Sequence, residues 1–197
     1  DVGKTIISAI VSEAIGATYF KPIQAGDLDR SDRHKILEWC SEKVDALPNT
    51  FALKAAMAPH EAANLENIEI CLADITFPKN INKPLVLEGA GGILVPLNEK
   101  GETILDLYEA SKLPIILVSR NYLGSINHTL LTISAIQQRN IPIAGIIYTD
   151  EPSAHSEKII ETFTKVKKLG NVLLPENIDA NFIQSEALRF SHLNFEL

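Results

Sequence analysis

The chain opens with "DVGKTIISAIVSEAIGAT" (residues 1–18), in which Gly3-Lys4-Thr5 runs straight into an apolar stretch of helical spacing. Ile6, Ile7, Ile10, Val11 and Ala14 share one face, and Gly16 follows where a left-handed cap belongs, so a helix is predicted over residues 5–15. A helix N-terminus offers unpaired N–H groups and the positive end of a dipole, which suits a phosphate. A lysine there adds charge at the β- and γ-phosphates, and a threonine hydroxyl is a ligand for Mg²⁺. The triplet alone is weak, since at ordinary residue usage it arises by chance in about one chain in ten of this length. An ordinary helix start explains it equally well, and the decision rests on the remaining sequence.

Downstream, short apolar runs alternate with helical patterns. Strands are predicted over 18–20, 84–88, 114–119, 143–148 and 171–174. Helices are predicted from Ser31 or Asp32 to 43, from Pro59, and over 66–77, 103–112, 126–139, 155–168 and 179–190. Strands that are apolar throughout, separated by helices, signal a parallel sheet covered on both faces. The expected fold is therefore α/β: a three-layer α/β/α arrangement of P-loop NTPase type around a mostly parallel central sheet. One domain is expected over 1–197, with surface turns at 80–84 and 98–102. Because a helix comes first, the strand feeding it and the start of the phosphate loop are expected to precede residue 1.

The composition fits a buried core, with 46% hydrophobic and 22% charged residues among 197. A net charge of −7 argues against a nucleic-acid partner, which needs a basic face, but is compatible with a small anion held by local cations. Cys40 and Cys71 have no CxxC spacing, so neither a zinc site nor a disulfide framework is predicted. No apolar run reaches membrane-span length and no signal-peptide pattern appears, so no membrane partner is expected and a cytoplasmic protein is the default.

In parallel α/β folds, ligands bind beyond the carboxyl ends of the strands. Lys21 stands at the first such end, held out of any helix by Pro22; a surface lysine before a turn is the plainer reading. Asp32 opens a helix, as a cap or as a carboxylate able to hold a metal through water. Glu88 closes an apolar run and precedes Gly89-Ala90-Gly91-Gly92; a turn explains the glycines but not the acid. Gly124-Ser125-Ile126-Asn127 opens another helix, and His128 reads as a packing residue. Zinc spacings and a nucleophile elbow are both missing from the sequence. Lys4, Thr5, Lys21, Asp32 and Glu88 together are a set for Mg²⁺-nucleotide phosphoryl transfer.

In order along the chain, Gly3-Lys4-Thr5, "YFKPIQAG" (19–26), Ser31-Asp32, "APH" (58–60), "EGAGG" (88–92), "VPL" (95–97) and "GSINH" (124–128) resemble the dethiobiotin synthetase family over nearly the whole length. The resemblance implies a homodimeric P-loop ligase of biotin biosynthesis that uses Mg²⁺ and converts 7,8-diaminononanoate, CO₂ and ATP to dethiobiotin, ADP and phosphate. One substrate amine takes up CO₂ as a carbamate, whose oxygen attacks the γ-phosphorus, and the second amine closes the resulting anhydride. By motif, Lys4 would bind the β/γ-phosphates, Lys21 would act beside it in catalysis, and Thr5, Asp32 and Glu88 would serve the metal. The nucleotide would meet Asp1, Val2, Gly3, Lys4, Thr5, Ile6, Asp32, Glu88, Gly89, Ala90, Gly91, Thr149, Asp150 and Pro175. The substrate would meet Asp1, Lys21, Ala25 and, from the second copy, Gly124, Ser125, Ile126 and Asn127.

Three features depart from the family pattern. Ala25 stands where the family commonly has Ser or Thr, and Thr149-Asp150 stands where an Asn-Asp reads adenine, which weakens the case for strict ATP use. The loop around Pro175 is short for one that contacts a nucleotide. Another P-loop amide-forming or partitioning-type ATPase, or a non-catalytic nucleotide-binding regulatory module, are the competing readings.

Overall fold

A computed structural model describes residues 2–79 and 81–191. Helix α1 (Lys4–Ile15) is bracketed by Gly3 and Gly16, both left-handed at φ 83° and 62°, which sets its bounds without side-chain caps. After it come β1 (Thr18–Phe20), β2 (Ile23–Ala25), α2 (Asp32–Trp39), β3 (Asp45–Ala46), β4 (Phe51–Leu53) and α3 (Pro59–Leu65). The second half alternates regularly: β5 (Leu85–Leu87), α4 (Ile104–Ser111), β6 (Ile115–Arg120), α5 (Ser125–Gln138), β7 (Ile143–Thr149), α6 (Ala154–Thr164), β8 (Lys168–Val172) and α7 (Ala180–Phe190).

Every ladder between these strands is parallel, in the orders β3-β1-β5, β2-β4 and β6-β7-β8. Side chains along the strands alternate between two helical layers. Tyr19, Val86, Ile116, Val118 and Ile147 join one buried cluster with Ile7, Ile10 and Val11 of α1, Ile36 of α2 and Ile183 of α7. Their neighbours face the other way: Phe20, Leu85 and Leu87 pack with α3 and α4, while Ile146 and Tyr148 pack with Ile133 of α5 and Ile160 of α6. The period of two thus makes α/β/α layers out of apolar strands. The strands form three hydrogen-bonded groups instead of one continuous central sheet. Between β5 and β6 lies a cavity of about 590 Å³, covered by α1 on one side and by Tyr108 and Ser111 of α4 on the other.

Several sequence expectations are corrected. The helix expected over 66–77 is a short turn at Leu72–Asp74, because its backbone groups are taken elsewhere. Asn98 Nδ2 donates to the Ile70 carbonyl at 2.7 Å, and Glu102 accepts from the Leu72 amide at 3.1 Å. Helix α2 stops at Trp39, short of 43, where Cys40 turns extended and the Ser41 amide donates to Glu13 at 2.9 Å. Helix α6 ends at a left-handed Lys165, and β8 starts at Lys168, three residues ahead of expectation. Strands β2, β3 and β4 were not expected; they are two or three residues long, too short for a period to register. Among the described residues no helix is long and apolar enough to cross a membrane.

Candidate active site

The site is built at the end of β1. Tyr19 and Lys21 lie two residues apart, so the strand's pleat points them to one side, and β5 runs alongside with Tyr19 opposite Val86. Two residues beyond Val86, the Glu88 amide donates to the Phe20 carbonyl at 2.9 Å, which fixes the Glu88 main chain against β1.

Four side chains converge on Glu88 and Asp32. Lys21 Nζ pairs with Asp32 Oδ2 and lies 3.3 Å from Glu88 Oε1. Thr5 Oγ1, from the first turn of α1, donates to the same Glu88 Oε1 at 2.9 Å. The Tyr19 hydroxyl donates to Oε2 at 3.0 Å. Lys35, one turn along α2, holds the other Asp32 oxygen at 3.0 Å. Side-chain exposures of 8% for Lys21, 13% for Asp32 and 3% for Glu88 put this network out of bulk water. Asp32 does not cap α2. Ser31 does, donating its amide to His34 Nδ1 at 3.2 Å, and that leaves the Asp32 carboxylate for the lysines.

The charges respond as the geometry requires. Burial works against the Lys21 ammonium, but Glu88 and Asp32 outweigh it and hold its pKa above the ordinary value. Burial likewise pushes Asp32 up, and the two lysines more than reverse it, leaving its pKa lowered. Lys4 is the opposite case: burial lowers its pKa, Glu88 only partly compensates, and Lys21 adds to the lowering. Thr5 Oγ1, Asp32 and Glu88 are hard oxygen donors, which fits Mg²⁺. Among the described residues no group of three or more His, Cys, Asp or Glu could hold a metal, so an ion here would take most of its ligands from phosphate and water.

Around this network the main chain is cradle-shaped. Gly3 is left-handed, and a Cβ there would come within 3.1 Å of Leu174 Cδ1, from the loop after β8. Thr149, at the end of β7, is wholly buried and donates its hydroxyl to the Val2 carbonyl at 3.1 Å, so it braces the loop from beneath. Gly89 donates its amide to the Tyr108 hydroxyl at 2.9 Å, and a Cβ at 89 would lie 2.6 Å from that oxygen. Two cavities meet here. One, of about 590 Å³, is lined by Lys4, Lys21, Asp32, Lys35 and Glu88, with Gly3, Ile6, Ala25 and Ala90 also on its wall. The other, of about 460 Å³, is lined by Val2, Gly92, Tyr122, Ser125 and His128. Lys4, Glu88 and Gly91 border both.

The remaining candidates are more dispersed. Of the 124–127 segment, Ser125 is buried at the second cavity, Ile126 packs against the cluster under α5, and Gly124 and Asn127 are exposed. Asp150 pairs with Arg120, and Pro175 is exposed in the loop beyond Leu174. Asp1 lies outside the described residues. Sequence reasoning passed over Tyr19, Lys35, Gln24 and Tyr108. The first two had a signal: Tyr19 is one strand period before Lys21, and Lys35 is one helical turn after Asp32. Gln24, whose Oε1 accepts from the Asp32 amide at 3.4 Å, and Tyr108 reach the site through contacts distant in sequence.

A P-loop family model described as an AAA domain matches residues 1–181. A protein of Christiangramia forsetii named ATP-dependent dethiobiotin synthetase BioD is 45% identical over 191 residues, which cover 96% of this chain and 91% of that relative. Proteins with the same name from Cytophaga hutchinsonii and Afipia carboxidovorans are 41% and 40% identical, covering 96% and 94% of this chain and 91% and 90% of theirs.

Proposed function

The chain belongs to the ATP-dependent dethiobiotin synthetase family, and from that premise we propose that it closes the cyclic urea of dethiobiotin from 7,8-diaminononanoate, CO₂ and ATP. The observation that carries this reading is the buried meeting of Lys21, Asp32, Glu88 and Thr5 at the N-terminus of α1, between two cavities. One cavity suits a triphosphate along Gly3-Lys4-Thr5 and the other the diamine.

Mg²⁺, held by Thr5, Asp32 and Glu88 together with the phosphates, would supply charge stabilisation at the γ-phosphoryl group. Lys4 and the free amides at the start of α1 bind the β- and γ-phosphates. A carbamate approaching a triphosphate is repelled, and the Lys21 charge offsets that repulsion in a site screened from water. Lys21 is fixed by two carboxylates and so costs little reorganisation as the carbamate oxygen attacks the γ-phosphorus, the bond to the β,γ-bridging oxygen breaks and ADP leaves. Asp32, tied to Lys21 and Lys35, orients them. The second amine then attacks the anhydride carbon, the ring closes and phosphate leaves.

We further propose a homodimer acting in the cytoplasm. The support for the dimer is apolar exposure next in sequence to Ile93, Tyr122 and Thr132, which line the second cavity: Leu123 is fully exposed, and Leu94 and Leu131 are 62% and 61% exposed. A second copy on this face would bring its 124–127 segment toward the substrate carboxylate, and sedimentation of the protein at micromolar concentration tests the pairing. The cleft between β5 and β6 is mostly apolar and is lined by residues of both strands. We propose that the three strand groups and their helices form a single P-loop ligase domain over residues 1–197.

The decisive assay supplies the diamine, bicarbonate and Mg²⁺ with ATP, GTP or CTP, and follows the cyclic urea and phosphate. Formation of the urea with stoichiometric phosphate is expected; no product with any of the three nucleotides would remove the ligase reading.

A further inference from the structure

We propose that Tyr19 is a positioning residue that sets which oxygen of Glu88 faces the metal and the phosphates. This inference rests on the Mg²⁺-nucleotide reading of the site. Tyr19 is wholly buried in the middle of β1, opposite Val86 of β5. Glu88 follows Val86 by two residues, a distance of about 6.6 Å along a strand, close to the reach of a tyrosine from Cα to hydroxyl. The ring therefore runs along the sheet to place its hydroxyl 3.0 Å from Glu88 Oε2.

The other donors crowd the opposite oxygen. Thr5 Oγ1 at 2.9 Å and Lys21 Nζ at 3.3 Å both address Oε1, so Tyr19 alone occupies Oε2 among the described side chains. A glutamate's terminal torsion is broad and of low barrier, and nothing in its own covalent structure chooses one oxygen over the other. With the Glu88 amide pinned to the Phe20 carbonyl and Thr5 and Lys21 both on Oε1, the Tyr19 hydrogen bond is what holds Oε2 on the opposite side among the described side chains. Without the hydroxyl, Oε2 would be left buried and unpaired, and the carboxylate would turn to share the Thr5 and Lys21 donors. The metal would then meet a mobile ligand. Tyr108 serves as a contrast, since it holds the Gly89 amide and makes no hydrogen bond to the carboxylate.

The test is binding of Mn²⁺, as a spectroscopic stand-in for Mg²⁺, to the protein with ADP, followed by electron paramagnetic resonance. Tyr19→Phe is expected to weaken Mn²⁺ about tenfold in the presence of ADP, while metal-free ADP binds within about twofold of wild type. kcat should fall with the KM for the diamine unchanged. A residue that only filled space would lower the melting temperature and leave the Mn²⁺ titration as in wild type, and that result would overturn the proposal. If the variant does not fold, 3-fluorotyrosine at position 19 keeps the shape and strengthens the donor. It should tighten Mn²⁺ by about twofold, and an unchanged titration again overturns the assignment. Wild-type protein that binds no Mn²⁺ with ADP would refute the nucleotide reading itself, and this inference with it.

Discussion

Replacing Lys21 by methionine keeps the length of the side chain and removes its charge, which isolates the electrostatic part of the site. In the native protein Asp32 and Glu88 are almost enclosed and share this ammonium. Losing one partner of a buried ion pair costs about 3–5 kcal/mol, and we expect about 3 here because Lys35 still holds one oxygen of Asp32. The pH dependence follows from the directions of the two shifts. Lys21, raised above 10.5 by Glu88 and Asp32 against burial, contributes stability that is complete below 10.5 and is lost as pH rises through its folded value. Asp32, lowered below 3.8 by the lysines against burial, contributes above 3.8 and loses it as pH falls through its folded value. The deficit of Lys21→Met should therefore be flat from about pH 5 to about pH 10 and shrink toward acid. Urea denaturation at pH 7 and pH 3, on wild type, Lys21→Met and Lys21→Met/Asp32→Asn, measures this. The double variant should recover about 1 kcal/mol or more at pH 7, because one of the stranded charges is gone. Turnover should drop by about a thousandfold in the single variant, with ADP affinity changed by less than about threefold. A single variant as stable as wild type at pH 7, or equally destabilised at both pH values, would refute the account of the network.

Gly89→Ala places a methyl 2.6 Å from the Tyr108 hydroxyl and 2.7 Å from Ile104 Cγ2, so it should cost about 2 kcal/mol in a urea melt; adding Tyr108→Phe should return part of that. Glu157 accepts from Asn121, Ser153, Asn171 and Lys168 across the ends of β6, β7 and β8. Burial raises its pKa, but these donors bring it down to about 2 from 4.5. Glu157→Gln should thus lose about 2 kcal/mol at pH 7, allowing for the exposure of Lys168, and the loss should fade as pH drops from 4.5 toward 2. Thr149→Val keeps the shape and removes the hydrogen bond to the Val2 carbonyl; steady-state kinetics should show KM for ATP raised about threefold with kcat nearly unchanged.

Most of the second half of the fold was legible because β5, β6 and β7 are largely apolar runs and the helices between them repeat their period, whereas β8 opens on Lys168 and carries Asn171, so its start was displaced by three residues. Residues 115–120 and 143–149 needed no tertiary information. The 23–53 region was not legible in this way. Strands β2 and β4 owe their pairing to contacts such as the Thr50 and Phe51 amides on the Pro22 carbonyl, which no local pattern encodes. In the site, Lys21 and Glu88 stood out as charged residues ending apolar runs. Tyr19 did not, since an aromatic on a buried strand is ordinarily packing, and its function depends on the register of β1 against β5. Thr149 was read as facing the base, whereas the fold turns its hydroxyl to Val2, a neighbour 147 positions away in sequence.

The cavity at α1 holds charges of both signs, yet its lysines are not equivalent. Lys21 and Lys35 are committed to carboxylates, while the Lys4 ammonium makes no ion pair or hydrogen bond among the described residues. Lys4 is also the lysine whose pKa burial lowers, so its charge is held at a cost that an arriving anion would relieve. The two lysines should therefore fail differently. Lys4→Met should lose ADP affinity by about tenfold or more and leave the protein as stable as wild type or slightly more so at pH 7, since a penalised charge has been removed. Lys21→Met, by contrast, should lose stability and turnover before it loses nucleotide. Calorimetric titration with ADP beside urea melts on both variants separates the cases. A Lys4→Met protein that is destabilised like Lys21→Met and still binds ADP normally would mean that Lys4 belongs to the structural network and that the phosphate-binding charge lies elsewhere.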